Sequence, residues 1–183
     1  MEEIDRLEGH LSNATTRSFW AHFSPFMRLR GFVRRDDFLP EDVPRLLGNL
    51  VLLECRAGRF FYRLVGTKIA GQHGRDLTGR ALDEWPDPIA ATIATQYRAV
   101  VAGRRPILSH YSGPAYRGTR FEIVERRWEK MALPLAFADD APDGVLVCAS
   151  ELPHADSFPQ CYAGLDGVGC WCTRPGMPEF QSR

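Results

Sequence analysis

The chain has 183 residues, 44% of them hydrophobic and 25% charged, with 23 basic residues balanced by 23 acidic ones. That size fits one domain with trimmings, and the composition is that of a globular protein whose core needs no disulfide or metal staple. The zero net charge, without a clustered Lys/Arg excess, argues against a nucleic-acid footprint; Arg104-Arg105 and Arg126-Arg127 read as loop and strand surface charge. No window approaches the ~20 apolar residues that span a bilayer. The acidic start MEEIDRLEGH lacks the basic-then-apolar pattern of a signal peptide. Five cysteines do not complete a disulfide framework, and these features together point to the cytoplasm.

Residues 1–14 are polar. Thr15, Thr16 and Ser18 are candidate N-caps for a helix over residues 19–30. Phe19, Trp20, Phe23, Phe26 and Met27 recur at spacings of three and four, which gives the helix one buried face. Pro25 is expected to bend or split it. So aromatic a face needs a partner, either the chain's own sheet or a second copy; a homodimer through Phe19, Trp20, Phe23 and Met27 is one expectation. Residues 34–48 read as a loop with a short helix near Pro40. Strands follow at residues 50–55 and Arg59–Val65, joined by a tight turn through Ala57-Gly58. Strict alternation would place Phe60, Tyr62 and Leu64 on one face and Phe61, Arg63 and Val65 on the other. Both faces are apolar, so both are expected to be covered.

After Gly66-Thr67 comes a stretch of one or two helical turns, then the glycine-bracketed turn Gly74-Arg75-Asp76-Leu77-Thr78-Gly79 leading to Leu82 and Trp85. Gly74 and Gly79 permit positive φ, and Asp76 and Thr78 can bond nearby amides to fix the turn. Arg63 could reach Asp76 or Asp83, or lie in solvent. Residues 87–103 form the next helix, with Ile89, Ile93, Tyr97, Val100 and Val101 as its stripe. Strands are expected at residues 106–112 and 121–137, around a Gly-Pro-rich turn at 113–118, and at Gly144–Glu151. From Leu152 onward prolines and glycines break every period, so an irregular tail is expected.

The run from Phe60 to Trp85, FFYRLVGTKIAGQHGRDLTGRALDEW, resembles a PAS sensory domain, in particular a bacterial PAS subgroup. The lead-in Asp37-Phe38-Leu39-Pro40-Glu41-Asp42-Val43-Pro44-Arg45-Leu46-Leu47 and the closing hairpin strands are similar to that subgroup as well. The resemblance covers residues 34–151 and implies an α+β fold: a five-stranded antiparallel sheet with short helices on one face, here with an N-terminal amphipathic helix attached. It divides the chain into an N-terminal segment 1–33, the PAS-like domain 34–151 and a tail 152–183. It also implies a ligand between the inner sheet face and the short helices, lined by Tyr62, Leu64, Ile69, Leu82, Tyr97, Tyr111, Trp128 and Leu133. The same residues fit a dry core equally well. Gly66, Thr67, Gly74, Asp76 and Gly79 are the structural turn positions.

No cofactor is named by the sequence. A flavin photoadduct needs a cysteine on the short helices, and residues 66–103 hold none. Haem-binding relatives use a helix histidine; His73, beside a turn, is a weak equivalent. His154, Cys161, Cys170 and Cys172 number four, but Cys170-Trp171-Cys172 is too tight for a zinc knuckle and the other two are unpaired. Cys55 and Cys148, on strands, are expected to be buried and inert. For catalysis, Ser109 and Tyr111 share a strand face while His110 points away, and no nucleophile elbow, P-loop or metalloprotease motif occurs. The chain is therefore read as a non-enzymatic sensory module that binds a small apolar or aromatic ligand. No kinase, cyclase, phosphodiesterase or DNA-binding segment is present, so its output is expected to pass through an unidentified protein partner. The alternative is a ligand-free interaction or dimerisation protein. A third option, a small enzyme, would need Tyr111, His110 and Trp128 to converge with an acid.

Overall fold

The computed structural model describes residues 7–84, 88–117, 122–138, 140–152 and 171–173. Five antiparallel strands form its centre: β2 (Leu50–Arg56), β3 (Arg59–Val65), β4 (Ile107–Arg117), β5 (Glu122–Ala136) and β6 (Gly144–Glu151). Their order across the sheet is β3-β2-β6-β5-β4. Two short strands add to this frame in parallel. β1 (Val33–Arg34) pairs with Leu135 and Ala136 of β5, past the point where β4 begins at Ile107 opposite Ala132. β7 (Trp171–Thr173) pairs with Ser109, His110 and Tyr111. Residues 171–173 of the expected irregular tail thus form a strand, while residues 153–170 and 174–183 lie outside the described part.

The N-terminal helix α1 runs over Ala14–Arg30, starting before the capping residues read from the sequence. Asn13 is its N-cap, accepting from the Thr15 amide at 2.8 Å, and Gly31 at φ +78° closes it. Pro25 lies on the exposed side and the helix continues through it. Its inward face carries Thr16, Phe19, Trp20, Phe23, Ser24 and Met27. Phe19, Trp20, Phe23 and Met27 pack with Leu50, Leu52, Met131, Leu133, Leu135, Leu146 and Cys148 of the chain's own sheet and are at most 2% exposed. Within one chain, the aromatic face therefore packs on this sheet.

The opposite sheet face is covered by α2 (Thr67–His73), a 3₁₀ turn at Leu82–Glu84 and α3 (Pro88–Gly103). Alternation along the strands separates the two cores: Val51, Leu53, Val145, Val147 and Ala132 turn toward α3, their sequence neighbours toward α1. A bulge breaks the simple alternation in β3. Leu52 pairs with Leu64 but Leu53 pairs with Tyr62, so Arg63 is the extra residue. Tyr62 and Val65 therefore join Phe60 on the α3 face, while Leu64 packs with the α1 cluster. Arg63 reaches Glu54 at 3.3 Å, and it is Arg59 that clasps Asp83, at 2.7 and 2.9 Å.

The β4–β5 hairpin is longer than the sequence pattern indicates. Gly113 and Pro114 lie within β4, in register with Arg126 and Glu125. Among the described residues β4 is an edge strand past β7, where proline is tolerated. No helix among the described residues is long and apolar enough to cross a membrane.

Candidate functional site

Of the eight residues expected to line a ligand site, Tyr62, Ile69, Leu82 and Tyr97 gather in the cluster between the sheet and α2–α3. Tyr97 meets Phe60 edge-on, with centroids 5.6 Å apart and planes at 73°. Trp128 is buried, and alternation with Ala132 puts it on this same face. Tyr111 pairs with Trp128 through the backbone, and its side chain lies outside the described part. Leu64 and Leu133 do not belong to the site. The β3 bulge turns Leu64 toward α1, and Leu133 alternates with Met131 and Leu135 on the α1 face.

Two charged neighbours in β5, absent from the sequence-based lining, are the most unusual residues of the molecule. Lys130 is 4% exposed and points to the α3 side, where its Nζ donates to Gln96 Oε1 at 2.9 Å and lies 5.0 Å from the Tyr97 ring centroid. Burial pushes its ammonium down from 10.5 to about 7, because the charged form loses its water. Alternation was the available clue: Trp128, Lys130 and Ala132 form one period-two set, in the middle of a run ending in Met131-Ala132-Leu133-Pro134-Leu135.

Glu129 faces the other way and is fully buried. Its carboxylate accepts from the amides of Ser12 (2.8 Å) and Asn13 (3.0 Å), from the hydroxyls of Ser12 and Thr16, and bonds His110 Nε2 at 2.8 Å. Burial alone would raise its pKa; the bonds from His110, Ser12 and Thr16 outweigh that and hold it down to about 2. The amides are those just ahead of the first turn of α1, where backbone donors lack partners and negative charge is favoured. Glu129 thus clamps the start of α1 onto the sheet. Nothing in the sequence joins residues 12 and 129, and only the fold brings them together.

The catalytic option called for Tyr111, His110 and Trp128 to converge with an acid. His110 does find a carboxylate, but Glu129 and His110 share the α1 face, opposite Trp128 and Lys130. Ser109 donates to the Lys130 carbonyl at 3.4 Å. Cys148 is buried, its thiol pushed up to about 12 by burial and then by Glu129, which removes thiolate chemistry at neutral pH. Cys55 is half-buried rather than buried. His73 ends α2 next to Gly74 and is half-buried. Of the four tail residues considered for zinc, His154, Cys161 and Cys170 lie outside the described part, as does the side chain of Cys172.

The turn residues shape the α3 face. Gly66 has an ordinary φ of −65°, yet a Cβ there would stand 2.3 Å from the Leu47 carbonyl oxygen, so close approach requires the glycine. Thr67 begins α2, and Gly74 ends it at φ +69°. Asp76 takes the Thr78 amide at 2.9 Å and its hydroxyl at 2.7 Å, and these bonds lower its pKa. Gly79, at φ +83°, donates to the Tyr62 carbonyl at 2.8 Å, while Arg80 O accepts from the Tyr62 amide at 3.0 Å. The turn is thereby stitched to the edge of β3 opposite β2, where Ala81 also bridges Phe61, and carries Leu82 into the core.

A five-stranded antiparallel sheet, sealed by one long helix and roofed on its other face by short helices, defines a small single-sheet α+β domain. The chain belongs to the PAS domain family, whose sequence model matches residues 10–148. That match takes in α1, which lies within the segment the sequence reading set apart as 1–33. The Rhodobacter sphaeroides LOV protein, known from a crystal structure, is similar at 18% identity over 63% of this chain and 68% of that one, with a TM-score of 0.41. No curated protein matches the chain significantly.

Proposed function

We propose that this PAS protein is a sensory or regulatory module that takes a small apolar or aromatic ligand between α2–α3 and the sheet, performs no chemistry on it, and reports occupancy through contact with another protein. The carrying observation is the margin of the α3-side core, where Tyr62, Val65, Ile93, Ala94 and Val101 are only partly buried in the cluster that also holds Phe60 and Tyr97, around a closed centre of Leu53, Val100 and Val145. The α1-side core has the same plan, with Phe19, Trp20, Leu50 and Leu133 inaccessible at its centre and Phe26, Leu47, Leu64 and Phe137 partly buried, but there one long helix rather than two shorter ones covers the sheet. A ligand that completed this second core would remove further apolar surface from water, at about 25 cal/mol per Å².

Strand β5 supports a route for the report. Consecutive residues Lys130 and Glu129 touch α3 and the start of α1 respectively, so an adjustment of β5 on the ligand side is felt at the clamp on the other.

The test is native mass spectrometry and an absorption spectrum on protein purified without additives, followed by a thermal-shift screen of small aromatic and aliphatic metabolites. A reproducible added mass, or a melting temperature raised in proportion to ligand concentration, is the expected result. A bare mass, together with no compound that moves the melt, would refute it.

A further inference from the structure

We propose that the adjoining C-terminal ends of α1 and α3 form a docking surface for an acidic segment of the partner protein, centred on Arg104. This rests on the sensory reading above and names its output surface. Gly31 closes α1, Gly103 ends α3, and the two ends meet: a Cβ on Gly31 would lie 3.7 Å from Arg104 O and 3.9 Å from Arg104 Cβ. Phe32, 4% exposed, sits at this junction, with the guanidinium carbons of Arg30 and Arg104 each 5.6 Å from its ring centroid. Arg104 is the unusual member. Its φ of +50° is one that a Cβ resists, although Gly103 stands one position earlier. It is exposed and makes no ion pair among the described residues. Arginines at helix ends often bond back to the last carbonyls; this one lies over Phe32.

The neighbouring charges define the partner. Arg30 is paired with Asp37 and Arg34 with Asp140, whereas Arg35 lies over Phe38 and donates to its carbonyl at 3.2 Å. Arg35 and Arg104 are thus left without a carboxylate among the described residues. Burial, and after it the charge of Arg34, lower the pKa of Arg30, so the cations press on one another and an incoming carboxylate relieves them. The exposed large hydrophobic side chains among the described residues are Leu29, 76% exposed and next to Arg30, and Leu39, 46% exposed and next to Phe38. They offer apolar anchors in the same segments. Asp36, Asp37 and Asp140, interleaved with the arginines, repel a uniform polyanion such as nucleic acid or an anionic bilayer. A protein segment can instead set single carboxylates on Arg35 and Arg104 and apolar side chains on the leucines. Because α3 roofs the ligand face, a shift of that helix carries Arg104 with it.

The experiment uses the full chain and a fluorescein-labelled peptide of Glu, Asp and Leu, with a control in which Gln and Asn replace the acids. Oligo(dT) and phosphatidylglycerol vesicles serve as the other polyanions. In anisotropy titrations the acidic peptide is expected to bind more tightly than the neutral one, and to weaken as salt rises to about 0.15 M. Arg104→Asn removes the charge with a residue that tolerates positive φ. Combined with Arg35→Gln it should weaken the acidic peptide about fivefold or more, the effect of two exposed pairs, without lowering the melting temperature. Arg80→Gln, at the β3 edge, should leave binding unchanged. Four results would overturn the surface: no binding of the acidic peptide, equal binding of the neutral one, undiminished binding by the double variant, or tighter binding of oligo(dT) or vesicles through the same arginines. Each leaves the ligand question to the native mass spectrum, so this failure and that of the sensory reading are told apart.

Discussion

Replacing Glu129 by Gln keeps the size and shape of the side chain and removes its charge. The buried carboxylate accepts from Ser12, Asn13, Thr16 and His110, and every one of those groups presents a hydrogen to it. In the variant one oxygen becomes an NH₂ that faces donors, so part of the cluster loses its acceptor. Adding the bonds one by one at about 1.5–3 kcal/mol each would overshoot, because the burial of the carboxylate opposes them. The lowered pKa already contains that opposition. Holding the carboxyl from its ordinary 4.5 down to about 2 corresponds, at about 1.4 kcal/mol per tenfold, to about 3 kcal/mol of stability at neutral pH. A depressed acid contributes this above its unfolded pKa and loses it as pH falls toward 2, since the unfolded chain binds the proton first. Glu129→Gln is therefore expected to be about 3 kcal/mol less stable at pH 7 by urea unfolding. Its stability should also fall less than that of the wild type between pH 5 and 2. A variant within 1 kcal/mol of the wild type, or one with the same acid profile, would refute the clamp.

Lys130→Met is expected to act in the opposite direction. A lysine whose folded pKa is lowered from 10.5 to about 7 destabilises the fold below pH 7, by at most about 5 kcal/mol, so the methionine variant should melt higher at pH 6. Wild-type stability should then rise as pH climbs from 7 toward 10 and the gap should narrow; a gap independent of pH would refute the reasoning. Gly66→Ala and Gly79→Ala separate two kinds of glycine. The first forces a methyl against Leu47 O and Gly48 O and should cost about 1–3 kcal/mol or more, although its φ is ordinary. At Gly79 the space is open and only φ +83° resists, at about 1–2 kcal/mol. Equal thermal-melt losses in a Gly66→Ala and a Gly66→Ser variant as small as those of a surface substitution would count against the steric account.

Much of the architecture is legible in the chain because it is written in local patterns. The aromatic stripe of α1, the strands around Ala57-Gly58, the turn from Gly74 to Gly79 and the helix ending at Gly103 all follow from periodicity and glycine placement. What escapes has a common cause: it depends on pairing between distant segments. The bulge at Arg63 is a mismatch between β2 and β3, and it overrides the alternation that seemed to align Tyr62 with Leu64. Asn13 becomes the N-cap of α1, rather than Thr15 or Ser18, because Glu129 collects the amides of residues 12 and 13 from across the sheet. β1 and β7 are too short to show as strands and form only where β5 and β4 offer unpaired edges. Lys130 is different in kind: its alternation with Trp128 and Ala132 is local and legible, but a charged residue type ordinarily marks a solvated position.

The position of Glu129 beside Lys130 makes a local prediction that separates a clamp from a mere contributor to global stability. The amides of Ser12 and Asn13 bond the Glu129 carboxylate, whereas those of β2, β5 and β6 are held in the sheet ladder. If Glu129 acts as a clamp, hydrogen exchange in Glu129→Gln should speed first and most at residues 12–17, under conditions where the sheet amides still open only by global unfolding. If it acts only through overall stability, amides that exchange by global unfolding should quicken by one common factor, set by the roughly 3 kcal/mol loss, and residues 12–17 should gain no more than that. The first pattern would mean that α1 can leave its seat without the domain unfolding. In that case the aromatic face of α1 is a surface the protein is able to uncover. The second pattern would mean that α1 is simply part of the core, and that any output leaves by another face.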